Sequence, residues 1–182
     1  MIVKIKRQDA LDQFPKFPLS DYIKEEYFYP KVYKRYRLIV DAKSLKGISK
    51  KLSIEFPQLI QNLGFTTLIF LGDIKYGWYR EFEYKPVKEG VKFLKDNKIG
   101  PRFNGAIQIE LEDLNEFIKH LYWLTYTNAL SPSLHFMDEG QNIMGIIHYQ
   151  GNVFIGAFNK KYDKLLIESV YKTNFTFGER LM

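Results

Sequence analysis

Between Ser44 and Gly64 the apolar residues are Leu45, Ile48, Leu52, Phe56, Leu59, Ile60 and Leu63. Steps of three and four predict an amphipathic helix over 45–63. Pro57 lies inside it and lacks an N–H, so a kink or a junction of two short helices is expected there. Gly64 can take the left-handed conformation that ends a helix. A continuous apolar run follows at once and predicts a buried strand over 66–71.

The same reading continues down the chain. Val87, Gly90, Val91 and Leu94 predict a helix over 87–96, with lysines on its wet face. Alternation after Asn104-Gly105 predicts a strand over 105–110. Leu114, Phe117, Ile118, Leu121, Tyr122 and Leu124 form the stripe of a helix over 112–127. Strands are expected at 133–137, 143–149 and 153–158, and a last helix, capped by Asn159, at 161–173.

The two apolar runs around Gln150-Gly151-Asn152 predict the central hairpin of a single sheet. A turn centred on Gly151 and Asn152 sets Tyr149 opposite Phe154 and His148 opposite Ile155. His135 then falls near Gly145, several residues from His148. Ile146 and Ile155 are both expected to be fully buried, because their strands are apolar on nearly every position. Residues 1–38 show no clean period. Three prolines and eight aromatic residues predict an irregular arm lying on the core. The expected architecture is one domain over 1–182. It is α+β, with mixed α/β as the alternative: a mostly antiparallel sheet of about five strands with helices packed on it.

Composition narrows the chemistry. The chain has 182 residues and no cysteine, which removes disulfides, thiolate ligands and a Cys nucleophile. The first residues lack the layout of a signal peptide. No apolar run reaches the roughly 18 residues of a spanning helix. The expected location is cytoplasmic. The net charge of +6 is unevenly spread. Residues 1–51 carry 13 Lys and Arg against 6 acids, whereas residues 104–139 carry one Lys against 6 acids.

No P-loop, Gly-x-Gly-x-x-Gly, Gly-x-Ser-x-Gly or His-Glu-x-x-His pattern occurs. The sequence therefore names no catalytic residue, metal ligand or cofactor. Three groups of residues carry function classes instead. Tyr76, Trp78, Tyr79 and Arg80 have the composition of a protein-binding hot spot. They follow a strand end, with Gly72 and Gly77 letting the loop stand clear of the core. Trp78 is the expected exposed anchor. The acids Glu110, Glu112, Asp113 and Glu116 could join that surface, although helix capping also explains them. Lys31, Lys34, Arg35 and Arg37 alternate with Tyr33 and Tyr36 and precede further lysines to Lys51. Cations interleaved with rings suit single-stranded nucleic acid. A third class is an enzyme with a site near Asp73, His135 or His148. His120 lies one helical turn from Glu116 and is expected to pair with it.

From Leu134-His-Phe-Met-Asp-Glu through Gly145-Ile-Ile-His-Tyr-Gln-Gly-Asn-Val-Phe-Ile-Gly156, an α+β chain ending with its hairpin resembles bacterial toxin-immunity proteins of contact-dependent inhibition systems. The resemblance implies a non-enzymatic protein that neutralises a cognate toxin by direct binding. It carries over no site residues. The positive net charge departs from the acidic character common among inhibitors of basic nucleases, so a nuclease partner would have to meet the acidic 104–139 segment.

Overall fold

A computed structural model describes residues 1–21, 26–73, 77–127 and 134–178. In chain order the elements are β1 (Ile2–Ile5), α1 (Arg7–Gln13), β2 (Leu19–Asp21), β3 (Glu26–Phe28), β4 (Lys34–Val40), α2 (Leu45–Asn62), β5 (Thr67–Leu71), α3 (Lys85–Asp96), β6 (Ala106–Glu110), α4 (Leu111–Thr127), β7 (His135–Asp138), β8 (Ile143–Ile147), β9 (Val153–Ala157), α5 (Lys160–Val170) and β10 (Phe175–Phe177). The fold is α+β. Its sheet has eight strands in the order β1-β6-β5-β7-β8-β9-β4-β10, every neighbouring pair antiparallel. The five predicted strands lie in its interior. The three additional ones come from the supposed arm and the extreme C-terminal region. β2 and β3 form a separate two-stranded ribbon.

The arm is therefore not irregular. Its first residues pair with β6, and Lys34–Val40 lies between β9 and β10. Burying the polar backbone of an internal segment requires partners for each N–H and C=O, and a sheet position supplies them.

Helices α2 to α5 cover one face. Leu38, Phe70, Ile107, Phe136, Ile147 and Ile155 point into that layer and meet Phe56, Leu59, Phe117, Leu121 and Leu166. α2 runs unbroken through Pro57. The proline leaves the Ser53 carbonyl without its usual donor. Asn115 Nδ2 of α4 donates to that carbonyl at 2.6 Å, so the lost bond is replaced across the helix pair. Gly64, at φ +79°, closes α2, with Phe65 N–H bonded to the Ile60 carbonyl and Gly64 N–H to that of Gln61.

The opposite face is covered only in part. Ala10, Phe14 and Phe17 of the α1 region pack on Ile69, Leu71, Ala106, Met137 and Met144. The β8-β9-β4 half carries no helix. Register decides what it shows. Ile147 faces Val153, because the hairpin loop is Tyr149-Gln150-Gly151 with Gly151 at φ +82°. His148 N–H bonds the Asn152 carbonyl, and Gly151 N–H bonds that of His148. This is a three-residue loop rather than the expected two-residue turn. Ile155 is buried as expected. Ile146 is only half-buried, since it lies on the uncovered face.

Candidate functional site

The aromatic loop does not stand clear of the core. Trp78 and Tyr79 are each 2% exposed. Trp78 donates its indole N–H to the Gly105 carbonyl and lies against Phe117 at 6.1 Å. Burial raises the Tyr79 phenol above its ordinary pKa. Arg80 is exposed, and Tyr76 lies outside the described residues. Trp78 and Tyr79 turn inward because their rings can fill space in the helical layer, which stabilises more than holding them in water. The expectation of Trp78 as an exposed anchor is thus overturned.

The acids are engaged locally. The Met1 amino group lies 3.0 Å from Glu110 and 3.6 Å from Glu112, and also contacts Asp113. The hydrogen bonds it donates to Asp113 and Glu110 raise the pKa of that amine to about 10. Glu116 contacts His120 at 2.8 Å and Lys119 at 3.4 Å, so the predicted His120–Glu116 pair is present. Asp73 is buried in a β-bridge with Gly77. No group of three or more His, Asp or Glu able to hold a metal occurs among the described residues.

The two strand histidines lie closer than expected. His135 faces Ile146, one residue from the predicted Gly145. A one-residue shift reverses the face of a side chain. It brings His135 onto the face of His148, as its diagonal neighbour, roughly 7–8 Å away between backbones. His135 is buried and its Nε2 lies 3.1 Å from Tyr29 Oη. His148 lies edge-on to Phe154 at 5.7 Å and beside Tyr149 at 4.1 Å. Burial, aided by the nearby Arg37 charge, lowers its pKa.

Beside these residues a trough of about 670 Å³ runs along the uncovered half-face and reaches Tyr36, Ile167 and Tyr171 on the helical side. Strand alternation gives it two transverse rows. One runs Arg37, Phe154, Ile146, continued outside the trough by the buried His135; the other runs Arg35, Gly156, Met144, continued by the buried Met137. Tyr29 forms a wall between them, its ring 5.3 Å from the Arg35 guanidinium and 5.4 Å from the His135 ring. Neither Arg35 nor Arg37 has an ion-pair partner among the described residues, and no carboxylate lines the trough there. The Arg37 Nε is buried without a hydrogen-bond acceptor.

The predicted basic group therefore divides. Arg35 and Arg37 enter the trough. Lys31 and Lys34 are exposed, and Lys34 shares the face of Tyr36, whose hydroxyl donates to Asp163 of α5 at 2.7 Å. Tyr36 is thus tied to the helical layer and borders the trough from that side. Tyr29, Ile146, Phe154 and His148 were not singled out from the sequence as one site. Period-two reading of 34–40 and 153–157 would have put Arg35, Arg37 and Phe154 on one face. Comparison with protein-family models, with curated proteins and with solved structures finds no match to this chain.

Proposed function

We propose that this is a binding protein whose working surface is the trough, and that it takes single-stranded nucleic acid. The observation that carries the reading is the position of Arg35 and Arg37. They are alternate residues of one strand, on a sheet face beside Phe154 and Tyr29, without a neutralising carboxylate among the described residues. Guanidiniums meet phosphates and rings meet bases, a combination that tolerates any sequence. A cognate toxin as partner rests on the resemblance alone. The anchor expected for it, Trp78, belongs to the core.

The test is fluorescence anisotropy of a short labelled oligothymidylate titrated with the protein at several salt concentrations. Two neutralised phosphates on a single strand predict a slope of log affinity against log salt of about −1.4, steeper if the lysines contribute. Replacing Arg35 and Arg37 together by Gln should flatten it. No binding at low salt would remove this reading and return a protein partner to first place.

A further inference from the structure

Resting on that reading, we infer that the trough receives one nucleotide unit, its base between Phe154 and Tyr29 and its phosphate on Arg35 and Arg37. The occupant is thus a nucleoside monophosphate or one such unit of a strand, not a length of evenly tracked backbone.

Three observations carry this. The first is pairing of function along the rows. Arg37 lies directly across from Phe154, and Arg35 lies over the Tyr29 ring. Arg35 thus touches one ring, and Arg37 lies in register with the other. Residues two apart on a strand are separated by roughly 6–7 Å, so both guanidiniums can reach the oxygens of one phosphate between them, as Arg–phosphate pairs prefer. The half-buried Ile146 gives the slot an apolar floor.

The second observation is size and closure. The cavity, about 670 Å³ with its reach to Ile167 and Tyr171 included, falls in the range of pockets that enclose one small ligand. The trough is bounded at its His135 side by the Tyr29–His135 contact. On the other side Gly178 packs on the Arg37 stem, where even a Cβ would lie 3.0 Å from its Cδ. The lysines that could extend a phosphate track, Lys43, Lys46, Lys50 and Lys51, come after the far end of β4.

The third is charge. Two cations face one slot with no carboxylate among its described lining residues. A phosphate complements that charge. A neutral apolar occupant does not.

The decisive experiment is competition. Thymidine 5′-monophosphate and adenosine 5′-monophosphate are titrated against the complex with labelled oligothymidylate, alongside thymidine and inorganic phosphate. The monophosphates should displace the oligonucleotide at least about tenfold more effectively than either fragment. Phe154→Leu, which keeps an apolar side chain but removes the ring, should weaken monophosphate binding at least about fivefold. Its thermal melt and circular dichroism report whether it remains folded. Tyr29→Leu provides an independent variant from the other wall.

If the oligonucleotide binds but no monophosphate competes, the one-nucleotide slot is wrong while the nucleic-acid reading stands. If inorganic phosphate competes as well as the monophosphates, the site is a plain anion site and the base slot is likewise wrong. If neither oligonucleotide nor monophosphate binds, both readings fall.

Discussion

Trp78 donates its indole N–H to the carbonyl of Gly105 at 2.9 Å. The same carbonyl accepts from Gly72 N–H, so one oxygen ties the segment after β5 to the start of β6. The ring also fills the layer beside Phe117. Trp78→Ala should therefore destabilise the fold by about 3–5 kcal/mol. Trp78→Phe keeps most of the packing and leaves Gly105 one donor, so its loss should be nearer about 1–2 kcal/mol. Urea denaturation of both variants checks the order. A Trp78→Ala loss below about 1 kcal/mol would return the residue to the surface.

Ile155 and Ile146 separate the two sheet faces. Ile155 is 1% exposed and packs under the helices, whereas Ile146 is half-buried on the trough floor. Ile155→Ala should cost about 2–5 kcal/mol. Ile146→Ala should cost about half as much or less, because less area leaves water on folding. Equal losses in denaturant melts would mean that the trough face is covered.

His120 gives a pH dependence with a definite sign. Burial lowers its pKa below the ordinary 6.5, opposed only in part by the bond to Glu116. The ring also stacks on Phe93 at 4.8 Å. The neutral form is thus favoured in the fold, and its Nε2–H can donate to Glu116. The unfolded chain takes up the proton first as pH falls. This contribution is complete above the unfolded pKa and is lost as pH drops through about 6.5 and below. His148, also lowered, acts in the same direction. Melting temperatures from about pH 7.5 to 5 should fall less in His120→Gln than in the parent. Parallel curves would show that His120 does not titrate differently in the fold.

Much of the helical layer was legible because its signals are local. The stripe on α2 and α4, the Gly64 terminator and the Asn159 cap need only neighbours three or four residues away. Asn115 bonding the Ser53 carbonyl was not legible, since the partner lies on another helix. β4 was legible only in part. From Arg37 a short strand or the run-in to a helix fits the residues equally, and the cations and rings of 31–37 point to nucleic-acid binding rather than to a strand beginning at Lys34 inside the sheet. Trp78 misled because hot-spot composition and core composition share the same rings. The trough depends on the register between β7, β8, β9 and β4. A one-residue difference at β7 already moves His135 from one face to the other.

Arg37 and Lys34 provide the sharpest test of the trough, because they lie on one strand and face opposite ways. Arg37 pairs across the sheet with Phe154, and Lys34 with Ala157. Phe154 lines the trough, whereas Ala157 belongs to the helical layer. Each substitution by Gln removes one positive charge, so a diffuse field around a basic protein would respond equally to both. A site in the trough responds unequally. Arg37→Gln should weaken oligonucleotide binding by about 1.5–3 kcal/mol, the usual loss for a hydrogen bond to a charged group. It should also lower the magnitude of the salt slope by about 0.7. Lys34→Gln should cost less than about 0.5 kcal/mol, as exposed charges do. Circular dichroism confirms that both variants keep the strand. Equal losses would assign binding to the general positive field of residues 31–51, and a larger loss for Lys34 would move the site to the other face of β4.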